Sequence, residues 1–453
     1  MKKWLVLLVS AVLAICCLAA CGGNSQNNAG DAANNADSAA NGGSEGTGDS
    51  ETITIRFLHQ WAEENRLPYW QELVDAYMEE NPNVVIEMEA ISNEPYKDKM
   101  RVILGGDDVP DLFFTWDGDY VARLAEAGAI MDLTPYLEAE PEFHESFNQG
   151  LLTTGQVDGK QYGLPVRTCV NFFLYNKEIF EENGITELPE TWDEFLDICE
   201  KLKNNDVTPL ALGNAEAWPL LHYISALNLR LVPEETFNND YYLVTGEFTD
   251  PAYIESLQIM LDFYNNGYFM DGANSTPMAA AREMFNAGRT AMIHDQVGSF
   301  KSYYYDTMGG DNWGIFPMPA FEGAQGNSDM MVGWIDQFVM SSSCEHPEAV
   351  IDFLKFFYSE ENQKKMTEEL GFVSTITSVS EDTSFNPCEQ INEAMEIINQ
   401  CSGFTATIDL EMNASVASVY QASVQELFTG KTPEEIMASV QEAAKLAMED
   451  QAG

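Results

Sequence analysis

The chain has 453 residues, with 73 acidic and 22 basic side chains and a formal net charge of −51 at pH 7. Because that field repels nucleic acids and anionic lipid head groups, it argues strongly against both as binding partners. Hydrophobic residues make up 45% of the sequence, enough for an extensive buried core.

The first 22 residues have the parts of a bacterial secretory signal. Lys2 and Lys3 precede an apolar run over residues 4–15, and Leu18-Ala19-Ala20-Cys21-Gly22 resembles a lipobox. The sequence predicts a signal peptide over 1–20 that is cut before Cys21, whose thiol then carries a lipid. A plain signal peptide or a short membrane anchor is the alternative, but the run is shorter than the ~20 residues that a span needs.

Residues 21–50 are predicted to be a flexible linker behind the lipidated cysteine. The segment consists almost wholly of Gly, Asn, Ser, Ala and Asp, and it contains no aromatic residue. Such a composition cannot bury enough apolar surface to fold. A folded body is therefore expected to begin near Glu51, tethered to the outer face of the cytoplasmic membrane.

The body, residues 51–453, is too long for one ordinary core, so two α/β lobes are expected. Alternating strands and helices are predicted from hydrophobic periodicity at the start of the body. They are a strand over 52–58, a helix with Trp70, Leu73, Val74, Tyr77 and Met78 on one face, a strand over 84–90, a helix over 96–104 and a strand over 111–114. This alternation predicts an α/β fold with a parallel sheet and helices on both faces.

Ligands of open parallel sheets bind beyond the carboxyl ends of the strands. The residues that follow the first and third predicted strands are Trp61 with Glu64 and Trp116 with Asp117. These four residues are the first candidates for a binding site.

Seven motifs in one order resemble the extracellular solute-binding proteins of ABC importers, and specifically family 1, which includes maltose-binding protein. They are PDLFF at 110–114, AGAIMDLT at 127–134, YGLP at 162–165, LYNKEIF at 174–180, PETWDEF at 189–195, FNAGRTAM at 285–292 and WGIFPMP at 313–319. One departure is that the family often shows Gly-Gly-Ser-Trp where this chain has QVGSF at 296–300.

The resemblance implies a type II periplasmic-binding-protein-like fold of two α/β lobes with parallel-rich sheets, joined by a hinge. Chain crossings are then expected near Pro165, near 317–319 and near Gly371. The first lobe would combine 51–164 with 319–371, and the second 166–316 with 373–453.

The resemblance also implies ligand-facing residues and partners. By position, Asp295 and Phe300 match the family's ligand loop, and Asp409 and Met412 lie in a late segment that faces the cleft. The implied partners are an ABC permease and its ATPase, and the receptor is expected to be a monomer.

Aromatic and acidic residues occur together at four loop positions, which is the pattern that a sugar site requires. A sugar has an apolar C–H face that stacks on an aromatic ring, and hydroxyls that bind carboxylates and amides. The tryptophans are Trp61, Trp116, Trp218 and Trp334, and the carboxylates near them include Glu64, Asp117, Glu216 and Asp336. The alternative for each indole is a packing role within its own lobe.

Arg167, one of few cations, is a further candidate. It could pin a carboxylate in the cleft, orient a ligand hydroxyl or form a structural salt bridge.

Enzymatic and metal-dependent functions receive little support. The body over 51–453 has no G-x-S-x-G, H-E-x-x-H or P-loop motif, and its five histidines and scattered cysteines lack metal-site spacing. Acidic runs such as 117–119 and 238–240 do not match a calcium loop and are interpreted as solvated turns. No cofactor is expected.

The sequence thus predicts a lipid-anchored receptor that captures a neutral mono- or oligosaccharide and does not convert it. Two alternatives remain open at this stage. One is a receptor for a cationic solute such as a polyamine, because carboxylates and aromatic rings also bind cations. The other is an exported glycan-active enzyme that uses paired carboxylates.

Overall fold

The structure is a computed structural model that describes residues 52–103, 108–382, 384–386 and 388–452. The predicted signal peptide over 1–20, the lipidation of Cys21 and the linker over 21–50 lie outside the described residues.

The strands are concentrated in one mixed sheet. In chain order they are β1 Ile53–His59, β2 Val84–Ala90, β3 Leu112–Trp116, β4 Gln156–Val157, β5 Lys160–Gln161, β6 Gly163–Asn176, β7 Leu210–Ala211, β8 Met292–Gln296, β9 Trp313–Phe316, β10 Met330–Met340 and β11 Gly403–Thr405. The first three match the predicted strands to within two residues at each end.

Helices surround this sheet. The α-helices are α1 Leu67–Glu80, α2 Asn93–Ile103, α3 Asp119–Glu126, α4 Thr134–Ala139, α5 Pro141–Ser146, α6 Gln149–Leu152, α7 Lys177–Glu182, α8 Trp192–Asn204, α9 Trp218–Leu231, α10 Glu234–Tyr241, α11 Pro251–Asn265, α12 Met278–Asn286, α13 Asp306–Met308, α14 Pro347–Phe357, α15 Glu360–Leu370, α16 Thr377–Ser380, α17 Glu389–Ile398, α18 Ile408–Glu411, α19 Ala414–Leu427 and α20 Pro433–Ala452. Short 3-10 helices span Thr153–Gly155, Ala273–Ser275 and Val297–Ser299, and a π-helix spans Phe300–Tyr305.

The sheet is parallel at its ends and antiparallel at its centre. Its order is β2-β1-β3-β10-β6-β8-β7, with β11 on β10 and β9 on β6. The pairs β1/β2, β1/β3, β7/β8 and β10/β11 are parallel. The pairs β3/β10, β10/β6, β6/β8 and β6/β9 are antiparallel, so the parallel prediction holds for β1–β3 and does not extend through the middle.

Two hydrophobic cores lie along this sheet. The first core surrounds β1–β3 and includes Trp70 and Phe113, and the second surrounds β8 and β9 and includes Trp313. Strands β6 and β10 run through both: Val166 packs in the first core, whereas Phe173 on the same strand packs in the second. The architecture is therefore the two-lobed α/β fold that the sequence predicts, with two long strands common to both lobes.

The spacing of apolar residues in α1 explains how this helix packs in the first lobe. Trp70, Leu73, Val74 and Tyr77 recur at helical spacing and are all buried, while the intervening residues face solvent. The helix ends at Glu80, directly before Asn81-Pro82, because the residue before a proline disfavours the helical region.

Two further observations concern the cysteines and the helices of the described part of the chain. Cys169, Cys199, Cys344, Cys388 and Cys401 are all free thiols. No helix among the described residues is both long and apolar enough to cross a membrane.

Candidate ligand-binding site

A cavity of about 460 Å³ lies at the carboxyl ends of β1, β2 and β3 and is closed from the other side by the second lobe. We call it the central cavity. The first lobe and the shared strands supply Gln60, Trp61, Glu63, Arg66, Ser92, Glu94, Pro95, Lys97, Trp116, Arg167 and Trp334. Later segments supply Glu216, Trp218, His222, Met278, Ala279, Arg282, Gln296, Ser299, Tyr303, Thr407, Asp409 and Leu410.

The structure brings part of the predicted site together. Six candidates line the central cavity: Trp61, Trp116, Arg167, Glu216, Trp218 and Trp334. The late-segment candidate Asp409 lines it as well, whereas Met412 is buried in the second core.

Five candidates do not line this cavity. Glu64 is exposed to solvent, and its neighbour Glu63 is at the cavity instead. Phe300 is fully buried against Phe172 and Trp313, because it begins the π-helix with its ring directed into the second core. Tyr303, one turn later, reaches the cavity.

Asp117 belongs to a different cavity, of about 1210 Å³, which Trp334 also lines. One carboxylate oxygen of Asp117 accepts a hydrogen bond from the Ile335 amide at 2.8 Å, and the other has no hydrogen-bond partner among the residues that the structure describes. Burial raises the pKa of Asp117 well above the ordinary carboxyl value.

The remaining two candidates, Asp336 and Asp295, lie directly behind cavity-lining arginines. Asp336 stands opposite Arg167 on the neighbouring strand, and the Arg167 Nε donates to its carboxylate at 2.6 Å. The second oxygen of Asp336 accepts from Trp334 Nε1 at 3.1 Å. Burial raises the pKa of Asp336, and the Arg167 guanidinium opposes that rise. Both side chains are almost completely buried. Arg167 therefore forms a buried salt bridge, one of the roles considered for it from the sequence, and it also lines the central cavity.

Asp295 forms a bidentate salt bridge with Arg282. Arg282 Nε and Nη2 donate to the two carboxylate oxygens at 2.7 and 3.0 Å, and Tyr304 Oη donates at 2.6 Å. Burial opposes ionisation, but the Arg282 guanidinium overcomes it and holds the pKa of Asp295 below its usual value. The guanidinium lies 4.1 Å from the centre of the Tyr303 ring, so one face of it is covered. Arg282 is thereby a rigid cation at the cavity wall.

Arg66 connects the two lobes across the cavity. Its Nη2 donates to the Gly298 carbonyl at 2.9 Å and to the Ser302 hydroxyl at 3.1 Å. Asn65 Nδ2 adds a hydrogen bond to the Ser302 carbonyl at 2.9 Å. Neither residue is marked by a motif in the sequence, since both depend on a partner more than 230 positions away.

An aromatic wall of Trp218, His222 and Trp334 forms one side of the cavity. The His222 ring centre lies 4.9 Å from that of Trp218 and 5.3 Å from that of Trp334. Trp218 and His222 are four residues apart at the start of α9, so they share a helix face. Ala217 precedes them with φ 64°, a left-handed conformation that turns the chain sharply into the helix.

Trp61 and Trp116 are more deeply packed. Trp61 stacks on Trp70 with ring centres 4.7 Å apart, and its Nε1 has no hydrogen-bond partner in the described part of the chain. Lys97 lies 5.3 Å from the centre of the Trp116 ring. Both indoles therefore combine a packing role with one edge or face at the cavity.

Several hydrogen-bonding groups of the cavity wall have no protein partner among the described residues. They are Glu63 Oε2, Arg66 Nε, Arg167 Nη1 and Trp61 Nε1. Buried polar groups are seldom left unsatisfied, and an unmade bond costs about 1–3 kcal/mol. These atoms are therefore the ones that a polar ligand would satisfy. No group of three or more His, Cys, Asp or Glu side chains suited to a metal ion occurs in the described part of the chain.

His222 gives the first testable prediction. Burial lowers the pKa of His222 to about 4, with Asp409 and Asp295 opposing that shift. In the unfolded chain the group titrates near pH 6.5. The unfolded state therefore binds a proton before the folded state does, and the contribution of His222 to stability is lost as the pH falls from 6.5 towards 4.

Between pH 7 and pH 5, wild-type protein should lose about 2 kcal/mol more unfolding free energy than the variant His222→Gln. Urea unfolding at the two pH values measures this difference. His144→Gln, at a position away from the cavity, is the matched control and should follow the wild type. Equal pH dependence of wild type and His222→Gln would contradict a neutral buried imidazole.

The model of the bacterial extracellular solute-binding protein family matches residues 61–364. That range includes every residue that lines the central cavity except Gln60, Thr407, Asp409 and Leu410.

Among curated relatives, the alpha-glucosides-binding periplasmic protein of Rhizobium meliloti is 23% identical over 414 residues, covering 87% of this chain and 88% of that protein. The xylose/arabinose-binding protein of Haloferax volcanii is 25% identical over 353 residues, covering 75% of this chain and 73% of its own length. Among solved structures, a chitin oligosaccharide binding protein has a TM-score of 0.80 and 24% identity, covering 87% of this chain and 99% of that one. The structural likeness supports the two-lobed fold.

Proposed function

Since the chain belongs to the bacterial extracellular solute-binding protein family, whose members serve ABC transporters, we propose that it captures a neutral mono- or oligosaccharide for delivery to a membrane permease. The relatives named above are binding proteins for alpha-glucosides and for xylose and arabinose, which supports a sugar ligand. Relatives and structural neighbours are binding proteins and not enzymes, so we propose capture without conversion.

The observation that carries this proposal is the lining of the central cavity. Aromatic rings of Trp218 and Trp334 stand beside unpartnered donors of Arg66 and Arg167 and the unpartnered acceptor of Glu63. A pyranose offers an apolar face for the rings and hydroxyls that both accept and donate. The two sets of groups in the cavity match those two properties.

The charges of the cavity favour a neutral solute over the cationic alternative. Arg66, Lys97, Arg167 and Arg282 all line it, although the chain as a whole is strongly acidic. A polyamine would have to enter next to four positive side chains. The carboxylates of Glu63, Glu94, Glu216 and Asp409 balance those charges, so the cavity has no strong excess of either sign.

Closure around the ligand is proposed to be a hinge motion of the lobes. The predicted divisions, 51–164 with 319–371 and 166–316 with 373–453, remain our proposal for the moving bodies. A ligand that contacts Trp61 on one side and Trp218 on the other favours the closed arrangement through both contacts at once.

The cellular setting is proposed from the sequence. A lipid on Cys21 would hold the receptor at the outer face of the cytoplasmic membrane, and residues 21–50 would be the tether. The proposed partners are an ABC permease and its ATPase, with the receptor acting as a monomer.

A thermal-shift screen tests the proposed function. The purified protein is mixed with neutral mono- and oligosaccharides and, separately, with polyamines, each at low and high salt. A ligand that binds only the native state raises Tm by mass action. We expect a salt-insensitive rise with one set of saccharides, and recovery of that saccharide unchanged. A salt-sensitive rise with polyamines alone, or turnover of the sugar, would contradict the proposal.

A further inference from the structure

The cavity of about 1210 Å³ that Asp117 lines is on the other side of the two shared strands from the central cavity. Thr168 and Ile335 line it, whereas the adjacent Arg167 side chain lines the central cavity and pairs with Asp336. Because successive side chains of a strand point to opposite faces, β6 and β10 lie between the two cavities. We call the larger one the acidic cavity.

The acidic cavity has carboxylates in its wall and no basic side chain. Its four carboxylates are those of Asp117, Glu381, Glu396 and Glu411, and among the described residues no lysine, arginine or histidine lines it. The central cavity, in contrast, has four basic side chains beside its four acidic ones. A solute in the acidic cavity therefore meets formal charges of one sign only.

Asp117 is the most buried of these carboxylates. The residue is 7% exposed, and its Oδ1 has no hydrogen-bond partner in the described part of the chain. Burial raises the pKa of Asp117 well above the ordinary carboxyl value, and the nearby charges of Glu411 and Asp336 add to that rise. A buried carboxylate with negative neighbours is costly unless it gains a proton or a positively charged partner.

The unpartnered polar atoms of this wall are acceptors. Besides Asp117 Oδ1, the buried Oδ1 of Asn392 has no partner among the described residues. The Glu411 carboxylate accepts a hydrogen bond from the Tyr242 hydroxyl at 2.5 Å and another from the Ala406 amide at 3.0 Å. An ammonium group donates three hydrogen bonds and accepts none, whereas a sugar hydroxyl also brings lone pairs that need donors.

Aromatic rings are also present in the wall. Tyr242, Trp334 and Phe404 line the acidic cavity, and aromatic faces attract cations. A hard metal ion, in contrast, takes several converging oxygen ligands, and the described residues include no group of three or more His, Cys, Asp or Glu side chains that could hold one. These observations favour an organic cation.

We infer that the acidic cavity binds an organic amine in its ammonium form, with the charged group at Asp117 and Glu411. Glu381 and Glu396 on the same wall offer partners to a second ammonium group, so the ligand class is a diamine or short polyamine. This site is separate from the sugar site of the central cavity and does not depend on the proposed function.

The first experiment compares putrescine with 1,4-butanediol, which has hydroxyls in place of the ammonium groups on the same carbon chain. In calorimetric titration of the purified protein at low salt, putrescine should bind saturably and at least about tenfold tighter than the diol, because carboxylates bind charged donors more strongly. The affinity for putrescine should fall as salt is added. Equal affinities, or heat spread over many weak sites as in diffuse counter-ion binding, would overturn the inference. Binding of calcium chloride without binding of putrescine would overturn it in favour of a metal ion.

A matched pair of double variants locates the amine. Asp117→Asn with Glu411→Gln removes two charges from the acidic cavity, and Asp197→Asn with Glu200→Gln removes the same two charges from exposed positions of α8 outside it. The first should bind putrescine at least about tenfold more weakly, and the second should bind it like the wild type. An equal loss in both would show that putrescine responds only to the charge of the whole chain.

A single variant guards against a folding defect in the double one. Asp117→Asn keeps an oxygen to accept the hydrogen bond of the Ile335 amide, and it should weaken putrescine binding in the same direction. Wild-type affinity for putrescine in a folded Asp117→Asn protein would contradict the role of the buried carboxylate.

The amine site and the sugar site can fail independently. Asp117→Asn should bind the saccharide found in the thermal-shift screen like the wild type, and Trp218→Ala should bind putrescine like the wild type, because each residue lines only the other cavity. Loss of putrescine binding in Trp218→Ala would place the amine in the central cavity and overturn the inference. If putrescine binds as expected while no saccharide does, the amine site stands and the sugar proposal fails; if only saccharides bind, the reverse holds.

Discussion

Replacing Asp336 by alanine is expected to lower the free energy of unfolding by about 3–5 kcal/mol, the usual cost of leaving one charge of a buried pair without its partner. Asp336 is fully buried, and it accepts hydrogen bonds from Arg167 and Trp334 on its two oxygens. Its removal leaves the guanidinium of Arg167, a residue that is 4% exposed and stacks on the Phe372 ring at 4.0 Å, without its carboxylate partner. Urea unfolding followed by circular dichroism measures the loss.

Two further variants make this result interpretable. The double variant Arg167→Met with Asp336→Leu removes both charges and should recover most of the lost stability, because the desolvation cost disappears with the pair. Asp98→Ala breaks the exposed pair with Arg101 and should change stability little. A loss in Asp336→Ala no larger than that in Asp98→Ala would show that the buried pair does not matter for folding.

Trp218→Ala is expected to weaken binding of the cognate saccharide by about 30-fold or more, the usual effect of truncating a central aromatic contact. Trp218 lines the central cavity, contacts His222 and is only partly buried. Its ring therefore has a face to offer a ligand and a limited role in packing. Calorimetric titration with the saccharide found in the thermal-shift screen measures the change.

Tyr264→Ala is the matched control for this variant. Tyr264 is 39% exposed, stacks on Phe428 and does not line the central cavity. It should bind the saccharide like the wild type, so any loss specific to Trp218→Ala is assigned to the cavity. An affinity of Trp218→Ala within about threefold of the wild type would remove the aromatic wall from the binding site.

Local pattern explains why the sequence locates β1–β3 and two of the cavity tryptophans. Alternation defines β1 and β2 within a few residues, and ligand sites lie where such strands end, which places Trp61 and Trp116 correctly at the cavity. The antiparallel centre of the sheet is not encoded locally. It depends on β10 returning between β3 and β6 from far along the chain.

The direction of side chains in loops is a second feature that the sequence does not predict. The bend after β1 turns Glu63 towards the cavity and Glu64 towards solvent, and no periodicity distinguishes them. The ligand-loop position suggested Phe300, but the π-helix turns that ring inward and brings Tyr303 to the wall.

The pairing of side chains that are distant in the sequence is a third feature that could not be predicted. Asp295 and Asp336 were predicted to contact ligand, whereas the structure places each behind an arginine that lines the cavity. Arg66 and Arg282 were missed because nothing near them in the sequence marks the partners that fix their orientation. In a chain with few cations and many carboxylates, each arginine is itself a candidate site residue. That scarcity is the one signal in the sequence that points to Arg66 and Arg282.

Strands β6 and β10 pass through both cores, and this arrangement affects how the receptor unfolds. One core cannot unfold while the other keeps all of its strand pairs, because the two cores share strands β6 and β10 and not only a contact surface. Loss of order in one lobe removes ladder hydrogen bonds from the other, so the lobes should open to proteases together and seldom singly. With the hinge motion proposed above, a receptor that denatures as one body can bend repeatedly without exposing a half-unfolded lobe to degradation.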